Sequence, residues 1–137
     1  MKAVFLDTFF LLAALNPDDG YHEEALGWSE AYDGPLLTTA WVVTEVADAL
    51  AAPQHRKVFE TFYQALKAEK RVRVLPPETA CWERGLRLYL ERPDKGWSLT
   101  DCISFTVMRE EGLTEELTGD RHFEQAGFSA LLRKEPG

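Results

Sequence analysis

A three-layer α/β domain, with a mostly parallel central sheet of about five strands flanked by helices, is predicted for this chain. Short β-rich runs alternate along the sequence with stretches whose apolar residues recur at helical spacing. The opening run KAVFLD also lacks polar alternation, as expected of a strand covered on both faces inside a parallel sheet. Of the 137 residues 45% are hydrophobic, and four Trp, four Tyr and eight Phe add bulk, enough for one sizeable core. Residues 1–137 are therefore expected to form a single domain.

The first strand is expected to end at Asp7. Residues 8 to 15 read as a short, nearly all-apolar helix, stopped by Asn16-Pro17 and the turn residues Asp18, Asp19 and Gly20. A second helix over about 21 to 32 turns Ala25, Leu26 and Trp28 inward. Gly34-Pro35 then breaks the pattern, and a strand over 36 to 38 follows. Thr39 caps a helix over about 40 to 52, with Val42, Val46, Ala49 and Leu50 as its apolar stripe and Pro53 at its end. Residues 55 to 69 form a further helix, with Val58, Phe59, Phe62, Ala65 and Leu66 inward. It leads to the strand VRVL at 72 to 75, closed by Pro76-Pro77. A helix over 78 to 91, the loop 93 to 97 and a helix opened by Ser98 and running toward Gly112 come next. Residues 116 to 118 read as a strand ending near Asp120, Phe123 and Glu124 as a helical turn, and Ala130-Leu131-Leu132 as a last edge strand. No repeat, low-complexity tract or linker interrupts this order.

Fifteen Lys and Arg against 23 Asp and Glu give a net charge of −8, which argues against indiscriminate binding to nucleic acid or anionic membranes. The charge is also segregated. Residues 1 to 50 hold nine acids and only Lys2 as a base, whereas residues 56 to 95 hold ten bases and six acids. That basic stretch fits solvated helix faces better than a flank that attracts phosphates to an acidic centre, though the latter would suit a metal-dependent nuclease. Cys81 and Cys102 lie in apolar helical patterns without CxxC spacing, as reduced core cysteines do. The apolar start is interrupted by Asp7 and lacks a cleavage signal, so neither a signal peptide nor a membrane span is expected, and the protein is expected in the cytoplasm.

Four carboxylates stand where predicted elements begin or end. Asp7 and Asp120 follow strands, and in an open parallel sheet ligands bind at the strands' carboxyl ends. Asp101 lies in the first turn of a helix, and Glu45 borders an apolar helical face, where an unpaired charge costs several kcal/mol. Each also has a purely structural explanation. Asp7 can cap a helix, SLTD at 98 to 101 matches a capping box, Glu45 can be a solvated boundary residue, and Gly119-Asp120 can be a turn. Convergence of all four on one sheet edge is what separate capping roles do not require. A cluster of carboxylates without His or Cys favours Mg²⁺, or Mn²⁺, over zinc. On a phosphodiester such an ion lowers the pKa of an attacking water, and no covalent protein nucleophile is needed. His22, His55 and His122 are not spaced as ligands, and only His122 neighbours a candidate residue. Asp48 and Asp94 fit exposed positions better than outer-shell roles. Trp97 and Tyr89 fit core packing better than base stacking.

AVFLDT at 3 to 8, Glu45 within a helix, DKGWSLTDCISF at 94 to 105 and TGDRHF at 118 to 123, in this order and spacing, resemble a PIN-domain ribonuclease of the VapC toxin type. The resemblance covers nearly the whole chain and is most specific in SLTDCISF and TGDRHFEQAGF. It implies a metal-dependent endoribonuclease whose Mg²⁺ or Mn²⁺ is held by Asp7, Glu45, Asp101 and Asp120, leaving a 5′-phosphate and a 3′-hydroxyl. It further implies a hydroxyl near the site, for which Thr8, Ser98 and Thr118 are candidates and Thr118 is best placed. The partners implied are an RNA substrate, a small antitoxin and a second copy of the chain. Three departures stand out. Phe9 occupies a position that is often small or hydroxylated, Gly119 is expected to loosen the link from Thr118 to Asp120, and Cys102 replaces a small apolar residue.

Other classes fit less well. A phosphatase would start DxD where Thr8-Phe9 follows Asp7, and no acidic pair precedes a phospho-acceptor strand as in receiver domains. A standalone RNA-processing nuclease, or a module that keeps the fold without cleaving RNA, remains as an alternative.

Overall fold

The computed structural model describes residues 2–133. Five strands run in parallel: β1 (Val4–Leu6), β2 (Leu36–Thr39), β3 (Val72–Leu75), β4 (Glu115–Leu117) and β5 (Ser129–Ala130), in the order β3-β2-β1-β4-β5. Seven helices connect them: α1 (Thr8–Leu15), α2 (His22–Ala31), α3 (Ala40–Ala49), α4 (Arg56–Ala68), α5 (Thr79–Glu91), α6 (Leu99–Glu111) and α7 (Arg121–Gln125). Val4, Phe5 and Leu6 are all buried, so the central strand is covered on both faces, as the apolar KAVFLD run requires. The outer strand β3 is half-buried at its ends, Val72 and Leu75, and exposed at Arg73 and Val74. The predicted three-layer α/β class is the one observed.

The chain runs from β1 outward to β2 and β3 and then returns to the other side of β1 for β4 and β5. The strand order therefore reverses between β1 and β4, and the crevice at their carboxyl ends is where such sheets bind ligands. Phe5 pairs with Glu116 and Leu6 with Leu117, and the Asp7 amide donates to Leu117 O at 3.4 Å, which brings the ends of the two strands level. Across the other side, the buried Thr38 hydroxyl donates to Leu6 O at 2.9 Å and ties β2 to the same end.

Helix α6 is seated by two packing features. A Cβ at Gly85 would fall 2.8 Å from Ile103 Cα, so the glycine permits the backbones of α5 and α6 to approach closely. Phe105 then meets Trp97 and Phe123 edge-on, with ring centroids 5.1 and 4.9 Å apart, which locks α7 against α6.

Several local expectations change. Helix α3 ends at Ala49, because Pro53 disfavours a helical Ala52, whose φ and ψ are −60° and 140°. Ala49 is exposed and Leu50 half-buried. Leu26, Val58 and Ala65, expected inward, are exposed. In α2 it is Ala25 that is buried and Trp28 half-buried, and in α4 only Phe59, Phe62 and Leu66 reach the core. The last strand is Ser129–Ala130, and Leu131–Arg133 curls into a 3₁₀ turn. Cys81 and Cys102 are free and buried, as expected. Among the described residues no helix is long and apolar enough to cross a membrane.

Candidate active site

Each acid is positioned by the start of a helix or by its neighbour. Asp7 is the N-cap of α1, its Oδ2 accepting from the Phe9 amide at 3.4 Å. Asp101 closes the capping box expected of SLTD. Its amide donates to Ser98 Oγ at 3.0 Å, and its Oδ2 accepts from the Ser98 amide at 3.1 Å. Asp120 caps α7 through the His122 amide at 2.9 Å. The capping roles are real, and the three caps nonetheless face one crevice, because β1 and β4 are adjacent and α7 packs on α6.

Thr118 couples two of the acids. It is fully buried, its Oγ1–H donates to Asp7 Oδ2 at 2.9 Å, and the same oxygen accepts from the Asp120 amide at 3.0 Å. Thr8 attends the fourth acid, donating to Glu45 Oε1 at 2.6 Å from the residue next to Asp7. Each of the three hydroxyls singled out in the sequence thus serves a different carboxylate or its helix.

The electrostatics are unfavourable for anions. Asp7 is only 4% exposed, and burial, reinforced by the charge of Asp101, pushes its carboxyl up from 3.8 to about 7 against the bonds from Thr118 and the amides of Thr8 and Phe9. Asp101 is also raised, by burial first and by the charge of Asp120, while the Ser98 amide and His122 act the other way. Among the described residues no Lys or Arg forms an ion pair with Asp7, Glu45, Asp101 or Asp120. A donor set of carboxylates and water, lacking its own cation, suits a hard divalent ion.

One side chain enters the cluster that sequence spacing had set aside. His122 Nδ1 lies 3.1 Å from Asp101 Oδ2 and 3.4 Å from Asp120 Oδ1. Among the described residues, Asp101, Asp120 and His122 form the one group of three or more metal-ligating side chains whose ligand atoms all lie within 4.8 Å of one another. Asp7 and Glu45 stand outside that group, held by Thr118 and Thr8. The local signal for His122 was only its place in the first turn after the capping Asp120, whose Oδ1 accepts from the His122 amide.

Gly119 does not loosen the strand end. It is buried, and a Cβ there would lie 2.5 and 2.7 Å from Cε1 and Cζ of Phe9, whose ring also packs edge-on against Tyr21 at 5.0 Å. Phe9 and Gly119 are one complementary pair, the large residue filling the space the small one leaves. The other singled-out residues lie apart. Asp94 forms a two-pronged ion pair with Arg92, at 2.9 Å on each arm, which holds its carboxyl down at about 2. His22 Nδ1 meets Ala13 O, and Asp48 is exposed. Trp97 is 5% exposed, its Nε1 donating to Gln125 Oε1, whereas Tyr89 is 43% exposed.

Similar folds are found in solved structures. The toxin VapC20 of Mycobacterium tuberculosis, a sarcin–ricin-loop-cleaving toxin, superposes with a TM-score of 0.84 at 24% identity, covering 92% of this chain and 96% of that one. FitAcB from Neisseria gonorrhoeae gives 0.63 at 20% identity, over 93% of this chain and 94% of that one. At these identities the likeness shows the fold. No curated protein matches the sequence. The family model of the PIN domain, however, matches residues 4–129, nearly all of the sheet and every residue of the acidic crevice, so the chain belongs to the PIN domain family.

Proposed function

We propose that this chain is a metal-dependent endoribonuclease, one PIN domain that acts as the toxin of a type II toxin–antitoxin pair. The observation that carries the nuclease is the convergence of Asp7, Asp101 and Asp120 at the switch point of the sheet with no Lys or Arg to neutralise them. A divalent cation bound there, Mg²⁺ or Mn²⁺, supplies Lewis acidity to a phosphodiester oxygen and acidity to the attacking water. Asp7 and Asp101 are assigned as its direct protein ligands, with Glu45 and Asp120 as further ligands or as groups that orient water. Thr118 holds Asp7 and Asp120 in fixed relation through one hydroxyl, and Thr8 holds Glu45. With no nucleophilic side chain required, hydrolysis leaves a 5′-phosphate and a 3′-hydroxyl.

The toxin role is supported by the likeness to VapC20 over nearly the full length of both chains, and it brings with it an RNA substrate and a small antitoxin covering the crevice. A homodimer is supported by the exposed Trp82, Tyr89 and Leu90 on one side of α5. The basic stretch 56 to 95 offers local attraction for phosphates on an otherwise acidic protein. A cytoplasmic location agrees with its two free, buried cysteines.

The experiment is cleavage of RNA by the purified protein with Mg²⁺ or Mn²⁺, with EDTA, and with the variants Asp7→Asn and Asp101→Asn, alongside growth arrest on expression. Metal-dependent cleavage lost in both variants is expected. Full activity in both variants, or no cleavage by the wild type with either ion, overturns the proposal.

A further inference from the structure

Among the described residues, one side-chain nitrogen, His122 Nδ1, joins the metal-ligating group of the acidic crevice. Asp120 Oδ1 accepts from the His122 amide at 2.9 Å, and the imidazole Nδ1 of the same residue lies 3.4 Å from that oxygen. Asp101 Oδ2 approaches the same ring from α6, held in place by the Ser98 amide at 3.1 Å. The result is a triangle of Nδ1, Asp101 Oδ2 and Asp120 Oδ1, with two sides of 3.1 and 3.4 Å and all atoms within 4.8 Å.

Those separations have a second meaning. Ligands at right angles around an octahedral ion, with bonds of about 2.1 Å, stand about 3.0 Å apart. An imidazole whose Nδ1 is 3.1 Å from Asp101 Oδ2 and 3.4 Å from Asp120 Oδ1 therefore aims that nitrogen at the point an ion between them would occupy. The neutral tautomer protonated on Nε2 leaves the Nδ1 lone pair for that ion. Nε2 lies on the far side of the ring beside Gly96, where an added Cβ would come to 3.9 Å, ordinary van der Waals contact, and the side chain is 33% exposed. The ring is also firmly seated, because the next residue, Phe123, is fully buried against Phe105.

We propose that His122 Nδ1 is a direct nitrogen ligand of the metal held by Asp101 and Asp120, and that it makes the site select Mn²⁺ and similar transition ions over Mg²⁺. This rests on the metal centre assigned under the proposed function. Mg²⁺ takes oxygen ligands almost exclusively and gives up water reluctantly, whereas imidazole nitrogen strengthens binding of first-row transition ions. Three carboxylates alone discriminate weakly between Mg²⁺ and Mn²⁺; one imidazole among them does so by chemistry, without a change in cavity size.

The test uses the full-length protein, stripped of metal and loaded with Mn²⁺. Pulsed electron paramagnetic resonance of the bound ion reads directly whether a ¹⁴N nucleus is coordinated, and calorimetry gives Mn²⁺ and Mg²⁺ affinities for the wild type, His122→Asn and His122→Gln. Expected are ¹⁴N modulation in the wild type that disappears in both variants, and a Mn²⁺ affinity lower by about tenfold or more in each, with Mg²⁺ affinity changed much less. Bound Mn²⁺ without ¹⁴N modulation in the wild type, modulation that survives both substitutions, or an unchanged ratio of Mn²⁺ to Mg²⁺ affinity overturns the assignment. RNA cleavage separates the two ideas. A wild type that cleaves with Mn²⁺ but shows no nitrogen coupling loses the His122 ligand and keeps the nuclease. Nitrogen coupling lost in both variants, in a protein that does not cleave, keeps the ligand and loses the nuclease. Failure to bind either ion overturns both.

Discussion

Replacing Asp7 by Asn is expected to stabilise the metal-free protein while removing its activity. The Asp7 carboxyl is raised from 3.8 to about 7, chiefly by burial and then by Asp101, so the folded state holds this proton over a range where the unfolded chain has released it. The stabilising contribution of that proton is complete below the unfolded value and is lost as pH rises to about 7. At about 1.4 kcal/mol per pH unit, burying the Asp7 carboxyl opposes folding by about 2 kcal/mol at pH 5, where it must take up a proton, and by about 4 kcal/mol at pH 8, where it is buried ionised. Asn keeps the shape, remains a good N-cap, offers Thr118 an acceptor, and presents a neutral amide to Asp101. Urea unfolding in EDTA is therefore expected to show Asp7→Asn more stable than the wild type at pH 8, with an advantage about 2 to 3 kcal/mol larger than at pH 5. Added Mn²⁺ should raise wild-type stability much more than that of the variant. A variant less stable than the wild type at pH 8, or an advantage that does not grow between pH 5 and pH 8, refutes the electrostatic account of the site.

Thr118→Val removes the hydroxyl between Asp7 and Asp120 and leaves the Asp120 amide without its acceptor, so a loss of about 1 to 3 kcal/mol is expected in chemical unfolding, with RNA cleavage reduced by roughly tenfold or more. Wild-type stability in this variant contradicts the hydrogen-bond geometry. Gly119→Ala places a methyl against the Phe9 ring at a position whose backbone tolerates Ala, and should cost about 1 to 3 kcal/mol. Adding Phe9→Ala should recover part of that loss, and a double-mutant cycle that closes additively shows the two residues are not coupled. Ser98→Ala breaks the capping box of α6 and should cost about 1 kcal/mol in a thermal or urea melt, with no effect at all as the contrary result.

The local signals that held were short-range ones. Ser98 to Asp101 announced the start of α6, Thr39 the start of α3, and KAVFLD a doubly covered strand, because caps and periodicity are encoded within a few residues. Burial was less legible where a helix is only partly covered. The apolar stripes of α2 and α4 suggested Leu26 and Val58 inside, yet which side chains of a stripe meet a neighbour depends on where that neighbour sits. The same limit applies at the crevice. The sequence marked Asp7, Glu45, Asp101 and Asp120 as residues worth joining, but His122 was set aside on spacing, and Phe9 and Gly119 read as two unrelated departures.

From its sequence alone, the chain is determined to be a parallel α/β domain with acids at strand and helix ends, because chain-local chemistry fixes element type and capping. Tertiary structure decides the rest: strand β4 lies beside β1, so that Thr118 reaches Asp7 across 111 positions of sequence. It also swings the His122 ring between Asp101 and Asp120 and fits Phe9 into the space at Gly119. Those pairings depend on strand order and on the packing of α7 against α6, which no window of sequence contains.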